Sequence, residues 1–317
     1  MSYTTSGLLN GVTIEGKPLQ MMYPGKVFWV NNSQVLPKKG VAGVDLSGKG
    51  TYLNPYKTID YAIGRCTASR GDVIAVMPGH AETLLTAGAI TSDVAGVAIV
   101  GLGVGSLRPT VTLGAAAADW AVDAANCAFV NLNIVGNFID VLIGWNVAAT
   151  ADNCYWEGVI VTEGAASSNL NFLVVWDFAT GTDNIHINYC SYHGKDAQNT
   201  FCVGLVAGVG LYMEGNYFAK DVASGVGAIL DASGLMSNVW LKNNFWRSNV
   251  DDAVHLEFTD ANNNGVITHD YFSSLDTDDA ITVAVEASGM HCFECYMAGD
   301  ADSFAIVGGG SGPYVTL

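Results

Sequence analysis

The chain has 317 residues, of which 30 are acidic and 13 basic, for a formal net charge of −17, and half of its residues are apolar. This composition excludes an intrinsically disordered chain, which combines low hydrophobicity with high charge. The 37 glycines follow no collagen period, and seven cysteines are too few, and odd in number, for a disulfide scaffold.

The charges are divided unevenly along the chain. Residues 1–70 carry eight basic and three acidic side chains, a net of +5, whereas residues 71–317 carry five and 27, a net of −22. Because so acidic a body repels phosphate, we expect no nucleic-acid partner. No apolar run of about 18 residues predicts a membrane span. No basic region followed by an apolar run predicts a secretory signal, so we expect reduced cysteines and no membrane partner.

The first predicted unit is an N-terminal attachment arm, residues 1–45, and the second is a single domain, residues 46–317. The basic front part of the chain suits docking to an acidic partner. The alternative is that the arm simply differs in composition from the rest.

The domain is predicted to open with a short amphipathic helix over Pro55–Ser69. Asn54 is a good N-cap and Pro55 suits the first helical position. Apolar residues occur at i, i+3, i+4 and i+7, namely Ile59, Ala62, Ile63 and Cys66. This helix is expected to cover the N-terminal end of a stack of strands, and Asp72–Met77 is expected to be the first strand.

Repeats dominate the rest of the chain. Eight segments of eight residues align without gaps, and their starts lie 24 to 31 residues apart. They are Val97–Val104, Cys127–Ile134, Cys154–Val161, Ile185–Tyr192, Leu211–Phe218, Val239–Trp246, Val266–Ser273 and Met290–Met297. Their first position is apolar in all eight and their third in seven, which predicts strands with one face buried.

The residue before each segment is always Asn or Gly, the types that most easily adopt positive φ. The eight are Gly96, Asn126, Asn153, Asn184, Gly210, Asn238, Gly265 and Gly289. A left-handed bend once per repeat is what a coil of strands needs at its corner, where stacked asparagines can hydrogen-bond along the coil. With shorter apolar strands between the segments, the pattern predicts an all-β parallel β-helix of about nine to ten rungs.

One stretch of the sequence resembles a known superfamily. The run from Gly48 to Ile63, which contains Asn54-Pro55-Tyr-Lys-Thr-Ile, and the run Gly71-Asp-Val-Ile-Ala-Val-Met-Pro-Gly79 with Glu82, resemble the opening of pectate-lyase-like β-helices. The resemblance implies a right-handed coil. The preceding arm, with Tyr23-Pro-Gly-Lys-Val-Phe-Trp-Val-Asn-Asn32, resembles phage virion proteins of tailspike descent, including head-decoration proteins.

The catalytic motifs of pectin-degrading β-helices are not found in the sequence. Gly-His-Gly and Arg-Ile-Lys are absent, and Arg108 and Arg247 are the body's two arginines. Carboxylates do recur at roughly one-rung intervals. These are Asp251 and Asp252; Asp276, Asp278 and Asp279; Asp300 and Asp302. Paired carboxylates can perform glycoside hydrolysis, but Asp is also favoured in solvated turns because it caps its own backbone, and we favour turns.

Metal sites and cofactors are not expected. Asp260, Asn262 and Asn264 match the first half of a calcium loop, but Tyr271 stands where the bidentate Glu belongs. Cys292 and Cys295 are expected to face opposite ways on one strand, which argues against zinc. Cys127 and Cys154 hold the same inward position in adjacent rungs, and we interpret them as packed apolar thiols.

The second position of the eight segments should point outward, yet it never carries a full charge. It holds Ala98, Ala128, Tyr155, His186, Tyr212, Trp240, Ile267 and His291. We call this the outer stripe. An apolar stripe on the outside of a coil should be covered, by a neighbouring subunit or by a carbohydrate chain. We favour a subunit interface formed by Tyr155, His186, Tyr212, Trp240, Ile267 and His291.

Together these features predict a structural, non-enzymatic phage virion protein. By resemblance, it would be a homotrimer that decorates or cements the head and binds the major capsid protein, or another virion protein, through its arm. The alternatives are a tailspike-like polysaccharide hydrolase or lyase and a non-catalytic glycan-binding adhesin.

Overall fold

Three parallel β-sheets run along the computed structural model of the protein. It describes residues 13–14, 17–18, 25–33, 42–164, 170–194, 201–220, 228–248, 254–274, 281–285, 289–298 and 304–307. Each strand pairs in parallel with its equivalent one turn earlier and one turn later. The protein is therefore an all-β parallel β-solenoid, as the repeats predict, and it is of the right-handed type that the resemblance implies. Within the described ranges, no helix is long and apolar enough to cross a membrane.

The three sheets contain ten, nine and nine strands. Sheet 1 consists of Val27–Val30, Val73–Val76, Ala98–Gly101, Ala128–Val130, Tyr155–Glu157, Ile185–Asn188, Gly208–Glu214, Met236–Lys242, Asn264–Thr268 and Gly289–Phe293. Sheet 2 consists of Ala81–Leu84, Thr110–Leu113, Asn133–Gly136, Ile160–Glu163, Ser191–Gly194, Tyr217–Lys220, Phe245–Ser248, Tyr271–Ser274 and Tyr296–Ala298. Sheet 3 consists of Ile90–Ser92, Trp120–Val122, Val141–Val147, Phe172–Phe178, Phe201–Leu205, Leu230–Ala232, Val254–Phe258, Ile281–Val285 and Phe304–Val307. Thr13–Ile14 and Lys17–Pro18 form a separate antiparallel pair, and Gly105–Leu107 is one 3₁₀ turn.

Aromatic side chains fill the interior of the solenoid. Trp120 and Trp145, from successive turns of sheet 3, stack with ring centroids 4.6 Å apart. Phe129 and Trp156 stack at 5.1 Å from successive turns of sheet 1. All four are essentially inaccessible to solvent. Burial of such large apolar surfaces is the main force that holds one turn to the next.

The corner before sheet 1 is left-handed at six of the eight predicted positions. Asn126, Asn153, Asn184 and Asn238 have φ between 54° and 60°, and Gly96 and Gly210 have φ of 75° and 83°. The exceptions lie in the last two repeats. Gly265 has φ of 155° and pairs with Val239, so it lies within the strand and Asn264 holds the equivalent of Asn238. Gly289 pairs with Asn264 and so keeps the predicted position, but its φ is not positive.

A second left-handed corner, between sheets 1 and 2, was not predicted. It is occupied by Asn131, Asn243, Tyr189, His269 and Glu294, all with φ between 50° and 57°. Large side chains at positive φ are uncommon because of steric strain. Gly158 and Gly215 also occupy this corner, with φ of 60° and 67°, so Asn and Gly are common there, but Tyr189, His269 and Glu294 interrupt the pattern.

The asparagine ladder lies at this second corner and points into the core. The side chain of Asn216 donates to Asn244 Oδ1 at 2.9 Å, and the backbone N–H of Asn244 donates to Asp270 Oδ1 at 2.9 Å. Asp270 also accepts from the Trp246 indole N–H at 2.7 Å. All three ladder residues are buried. Hydrogen bonding along stacked asparagines was expected, but at the first corner.

The predicted helix is present but much shorter. It spans Ile59–Ile63 and its N-cap is Thr58, whose side chain accepts from the N–H of Tyr61. Asn54 is not the cap because Tyr56 is extended and forms a β-bridge with Val30. Ile59, Ala62 and Ile63 are buried in the main core, as their spacing indicates.

The predicted boundary between arm and domain is too late in the chain. Val27–Val30 pairs in register with Val73–Val76 and is the first strand of sheet 1. Asp45 accepts from the N–H groups of Lys57 and Thr58. These residues are therefore part of the solenoid domain, whereas residues 1–12, 15–16, 19–24 and 34–41 of the predicted arm lie outside the described residues.

A buried histidine connects the first strand to the helix. His80 Nδ1 accepts from the backbone N–H of Asn32 at 3.1 Å, and Nε2 lies 3.1 Å from Glu82 Oε2. The same carboxylate oxygen accepts from the N–H of Ile59. Because both ring nitrogens have partners, His80 is a structural residue.

The buried carboxyl group of Asp270 should make the stability of the fold depend on pH. Burial raises its pKa to about 7, against an ordinary value of 3.8. The folded state therefore binds more protons than the unfolded state between these values, and stability is lost as the pH rises from about 4 to about 7. We expect urea denaturation to give a free energy of unfolding about 2–3 kcal/mol lower at pH 8 than at pH 5, since one pKa unit is worth about 1.4 kcal/mol. Asp270→Asn should flatten this dependence.

The control is Asp123→Asn, which removes an exposed carboxylate outside the ladder. It should keep the wild-type dependence on pH. An unchanged slope in Asp270→Asn would show that Asp270 is not the group responsible.

Candidate functional site

The carboxylates predicted for a corner site cannot be placed. Asp251, Asp252, Asp276, Asp278, Asp279, Asp300 and Asp302 all lie outside the described residues. The prediction that they stack on one corner stays a prediction.

The calcium-like sequence is a self-contained turn. Asp260 Oδ1 accepts from the backbone N–H of Asn262 at 2.8 Å, and Asn264 Oδ1 accepts from the N–H of Asn238 at 3.0 Å. These oxygens satisfy neighbouring backbone groups, as Asx turns do. Among the residues described, no group of three His, Cys, Asp or Glu side chains is arranged to hold a metal.

Cys292 and Cys295 do not face opposite ways. The left-handed residue Glu294, at φ 50°, turns the chain between them, so both thiols are buried. They hydrogen-bond to each other, which raises the pKa of Cys292 and lowers that of Cys295. The strand alternation assumed from the sequence stops at this corner.

The outer stripe exists on sheet 1, with one correction. Tyr155, His186, Tyr212 and Trp240 are paired in register in consecutive turns, and His291 continues the column. Ile267 does not belong to it, because the register places Val266 opposite Trp240. Ile267 faces the core and has no exposed surface. It therefore cannot form part of the predicted interface.

Neighbouring side chains of the stripe partly cover one another. His186 and Tyr212 stack with centroids 4.6 Å apart and planes 12° apart. Burial lowers the pKa of His186, which favours the neutral form of its ring. Trp240 remains 46% exposed. The stripe is thus an apolar strip with an accessible indole.

A second aromatic column was missed by the sequence analysis. On sheet 2, Tyr217, Phe245, Tyr271 and Tyr296 stack in consecutive turns, with centroids 5.2 to 5.8 Å apart. These residues come after the second corner, and aligning that position of the repeats would have identified them. Because the ring faces pack on one another, the column chiefly stabilises its own turns.

A third column, on sheet 3, carries carboxylates. The register places Asn146, Asp177, Gly204, Asp231 and Glu257 one above the other. We call these five residues the acidic column. The neighbours of each on its own strand, such as Trp176 and Phe178, are buried, whereas Asp177, Asp231 and Glu257 keep part of their surface exposed. The alternation therefore directs the acidic column outward.

Gly204 separates two of the carboxylates. Asp177 and Asp231 are its neighbours on either side, so their Cα atoms lie about 9–10 Å apart at the usual strand spacing of about 4.8 Å. Asp231 and Glu257 are directly adjacent. Burial raises the pKa of Asp177 and of Asp231. A glycine between them leaves room for a group to approach the backbone closely.

The spacing between the Cα atoms of Asp177 and Asp231, about 9–10 Å at the usual strand spacing, is close to the carboxyl spacing of inverting glycoside hydrolases. An inverting hydrolase needs two carboxyl groups about 6.5–9.5 Å apart, one of them protonated, with water between. Partial burial favours the protonated form that a general acid needs. The acidic column itself contains no Lys or Arg. The carboxylates of the column repel the carboxylate of a uronate, which favours a neutral glycan over an acidic one.

Comparison with known proteins finds a likeness in fold. No protein-family profile matches the chain, and no curated protein sequence does. A solved structure described as a rhamnogalacturonan lyase superposes with a TM-score of 0.54 at 12% identity, over 86% of this chain and 75% of that one. At this identity the likeness shows the fold, and it supports the pectate-lyase-like resemblance seen in the sequence.

This comparison also corrects one expectation. The chain was expected not to be an enzyme because the pectate-lyase and polygalacturonase motifs are missing. That expectation is wrong, since a protein that shares the fold at 12% identity is an enzyme. The absence of the pectate-lyase and polygalacturonase motifs from this sequence does not exclude catalysis by a protein of this fold.

Proposed function

We propose that the protein is a glycoside hydrolase that cleaves a neutral polysaccharide bound along the acidic column. The observation that carries this proposal is the pair Asp177 and Asp231, two turns apart across Gly204, each with its pKa raised by burial. One carboxyl protonates the leaving oxygen and the other activates water. Glu257 lies on the turn after Asp231 and extends the acidic column by one turn.

The setting we propose for this activity is a tailspike-like virion protein that acts on a host surface polysaccharide. The support is the resemblance of the arm, including Tyr23-Pro-Gly-Lys-Val-Phe-Trp-Val-Asn-Asn32, to phage virion proteins of tailspike descent, together with the apolar outer stripe. In this setting the protein is a homotrimer attached to the particle through its N-terminal segment.

The proposed hydrolase activity can be tested directly. Purified protein should depolymerise at least one neutral bacterial polysaccharide, with new reducing ends measured over time. Asp231→Asn and Asp177→Asn should each reduce the rate by about 10²-fold or more, because each removes an acid or base of the reaction. Asp123→Asn, an exposed acid elsewhere, is the matched control and should keep full activity.

The product also distinguishes the mechanism. Hydrolysis gives saturated ends, whereas elimination gives an unsaturated uronate that absorbs in the ultraviolet. Unsaturated products, or full activity in both Asp variants, would contradict the proposal.

The second prediction concerns the outer stripe. Trp240→Glu places a charge on its most exposed ring and should convert trimers to monomers, measured by sedimentation, without changing the β-sheet circular dichroism. Burial of a large aromatic side chain at an interface is worth about 1.5–3 kcal/mol. Val104→Glu changes another highly exposed apolar side chain, in a loop, and should leave assembly intact. A monomeric wild-type protein would disprove the interface, and loss of glycan binding with assembly intact would assign the stripe to carbohydrate.

The third prediction concerns attachment. Removing residues 1–24 spares the strand Val27–Val30, so the solenoid should fold but no longer co-sediment with particles. Residues 1–24 contain one basic residue, Lys17, and one acidic residue, Glu15, whereas Lys38 and Lys39 belong to the basic part of the front segment. The double variant Lys38→Glu and Lys39→Glu therefore tests whether attachment depends on the positive charge of the front segment, separately from the deletion of residues 1–24. Particle binding unchanged in both variants would refute attachment by this segment.

A further inference from the structure

Two cysteines lie opposite each other in consecutive turns of sheet 1. Ala128 pairs with Tyr155, so the preceding residues, Cys127 and Cys154, are also neighbours across the turns. At a strand spacing of about 4.8 Å, their Cα atoms fall within the range of about 4.4–6.8 Å that a disulfide needs. Both thiols are buried, at 2% and 0% exposure.

The two thiol groups are adjacent across the turns. The Sγ of Cys154 reaches towards the preceding turn, where it lies 3.5 Å from the carbonyl oxygen of Ala124. A thiol–thiol hydrogen bond lowers the pKa of Cys127 and raises that of Cys154. The thiolate is the attacking species in thiol–disulfide exchange.

The pair is isolated from other thiols in its column. The equivalent residues of the turns before and after are Val97 and Ile185, so the column itself contains no third cysteine next to the pair. Asn126 and Asn153, which immediately precede the two cysteines, are exposed corner residues. A small reagent therefore needs only a local opening of the corner to reach the thiols.

We propose that Cys127 and Cys154 are a modification site, at which a small-molecule disulfide such as oxidised glutathione introduces a bond between consecutive turns. The Cys127 thiolate attacks one sulfur of the reagent, forming a mixed disulfide and releasing one thiol. The Cys154 thiolate then attacks Cys127 and releases the second. Two protein thiols are oxidised, one reagent disulfide is reduced to two thiols, and both protons pass to the products.

This bond closes a loop that contains one whole turn of the solenoid. Cross-linking constrains the unfolded chain, and it also prevents the two turns from separating. The oxidised protein should therefore unfold at a higher denaturant concentration than the reduced protein. The other buried pair, Cys292 and Cys295, connects residues of a single turn and gives little of this effect.

The test is incubation of the full chain with oxidised glutathione, followed by intact mass and peptide mapping. The expected result is a mass lower by two hydrogens, a linked peptide containing both cysteines, and a higher unfolding midpoint that reductant reverses. Cys127→Val matches the residue type of Val97 in the same column and should abolish the linked peptide and the midpoint shift. Cys190→Ala, which changes a buried thiol outside the pair, should retain both.

Three results would overturn the proposal. One is wild-type protein with both thiols unmodified after it has been held near its unfolding midpoint with the reagent. The others are a stable glutathione adduct on either cysteine, and a linked peptide from Cys292 and Cys295 alone. The mass measurement on wild-type protein decides between these outcomes even if Cys127→Val fails to fold.

Discussion

In-register pairing between successive turns is the constraint on which the rest of this structure depends. Because every residue lies about 4.8 Å from its equivalent in the next turn, a position in the repeat becomes a column along the molecule. The stacked tryptophans, the outer stripe, the asparagine ladder and the acidic column are all products of this one rule. The rule also brings like charges together, which is unfavourable. In the acidic column, Gly204 separates Asp177 from Asp231, so that repulsion is limited to Asp231 and Glu257.

The repeat pattern was sufficient to predict the fold class and the inward positions of sheet 1. The repeat pattern gave a wrong register where one residue type suits two different positions of the repeat. Glycine is acceptable both at a left-handed corner and within a strand, so the segment at Val266 was placed one residue too late, which turned the buried Ile267 into a surface residue. The helix was predicted too long because Asn54 and Pro55 have the propensities of a helix start. The pairing of Tyr56 with Val30 outweighs those propensities.

The acidic column was not predicted because its members do not lie in the aligned segments. Asp177, Asp231 and Glu257 come after connections of different lengths between sheets 2 and 3, so a gap-free alignment never brings them together. Their relation depends on strand pairing, which single-sequence patterns do not give. The sheet 2 aromatics were accessible in principle, since they keep a constant distance from the second corner. The two cysteines show the intermediate case, in which the sequence gives the shared column and only the structure gives the hydrogen bond between the thiols.

The asparagine ladder has a direction, and this affects how such a molecule can lengthen over evolutionary time. Each asparagine amide accepts a hydrogen bond from the turn before it and donates one to the turn after it. The series ends at Asp270, because a carboxylate has no N–H group to donate. A duplicated turn inserted between Asn216 and Asn244 would have to bring its own asparagine or leave buried donors unsatisfied. A turn added after Asp270 carries no such requirement. Asp270 thus divides the solenoid into a part in which gene duplication is restricted by hydrogen bonding and a part that can gain or lose turns.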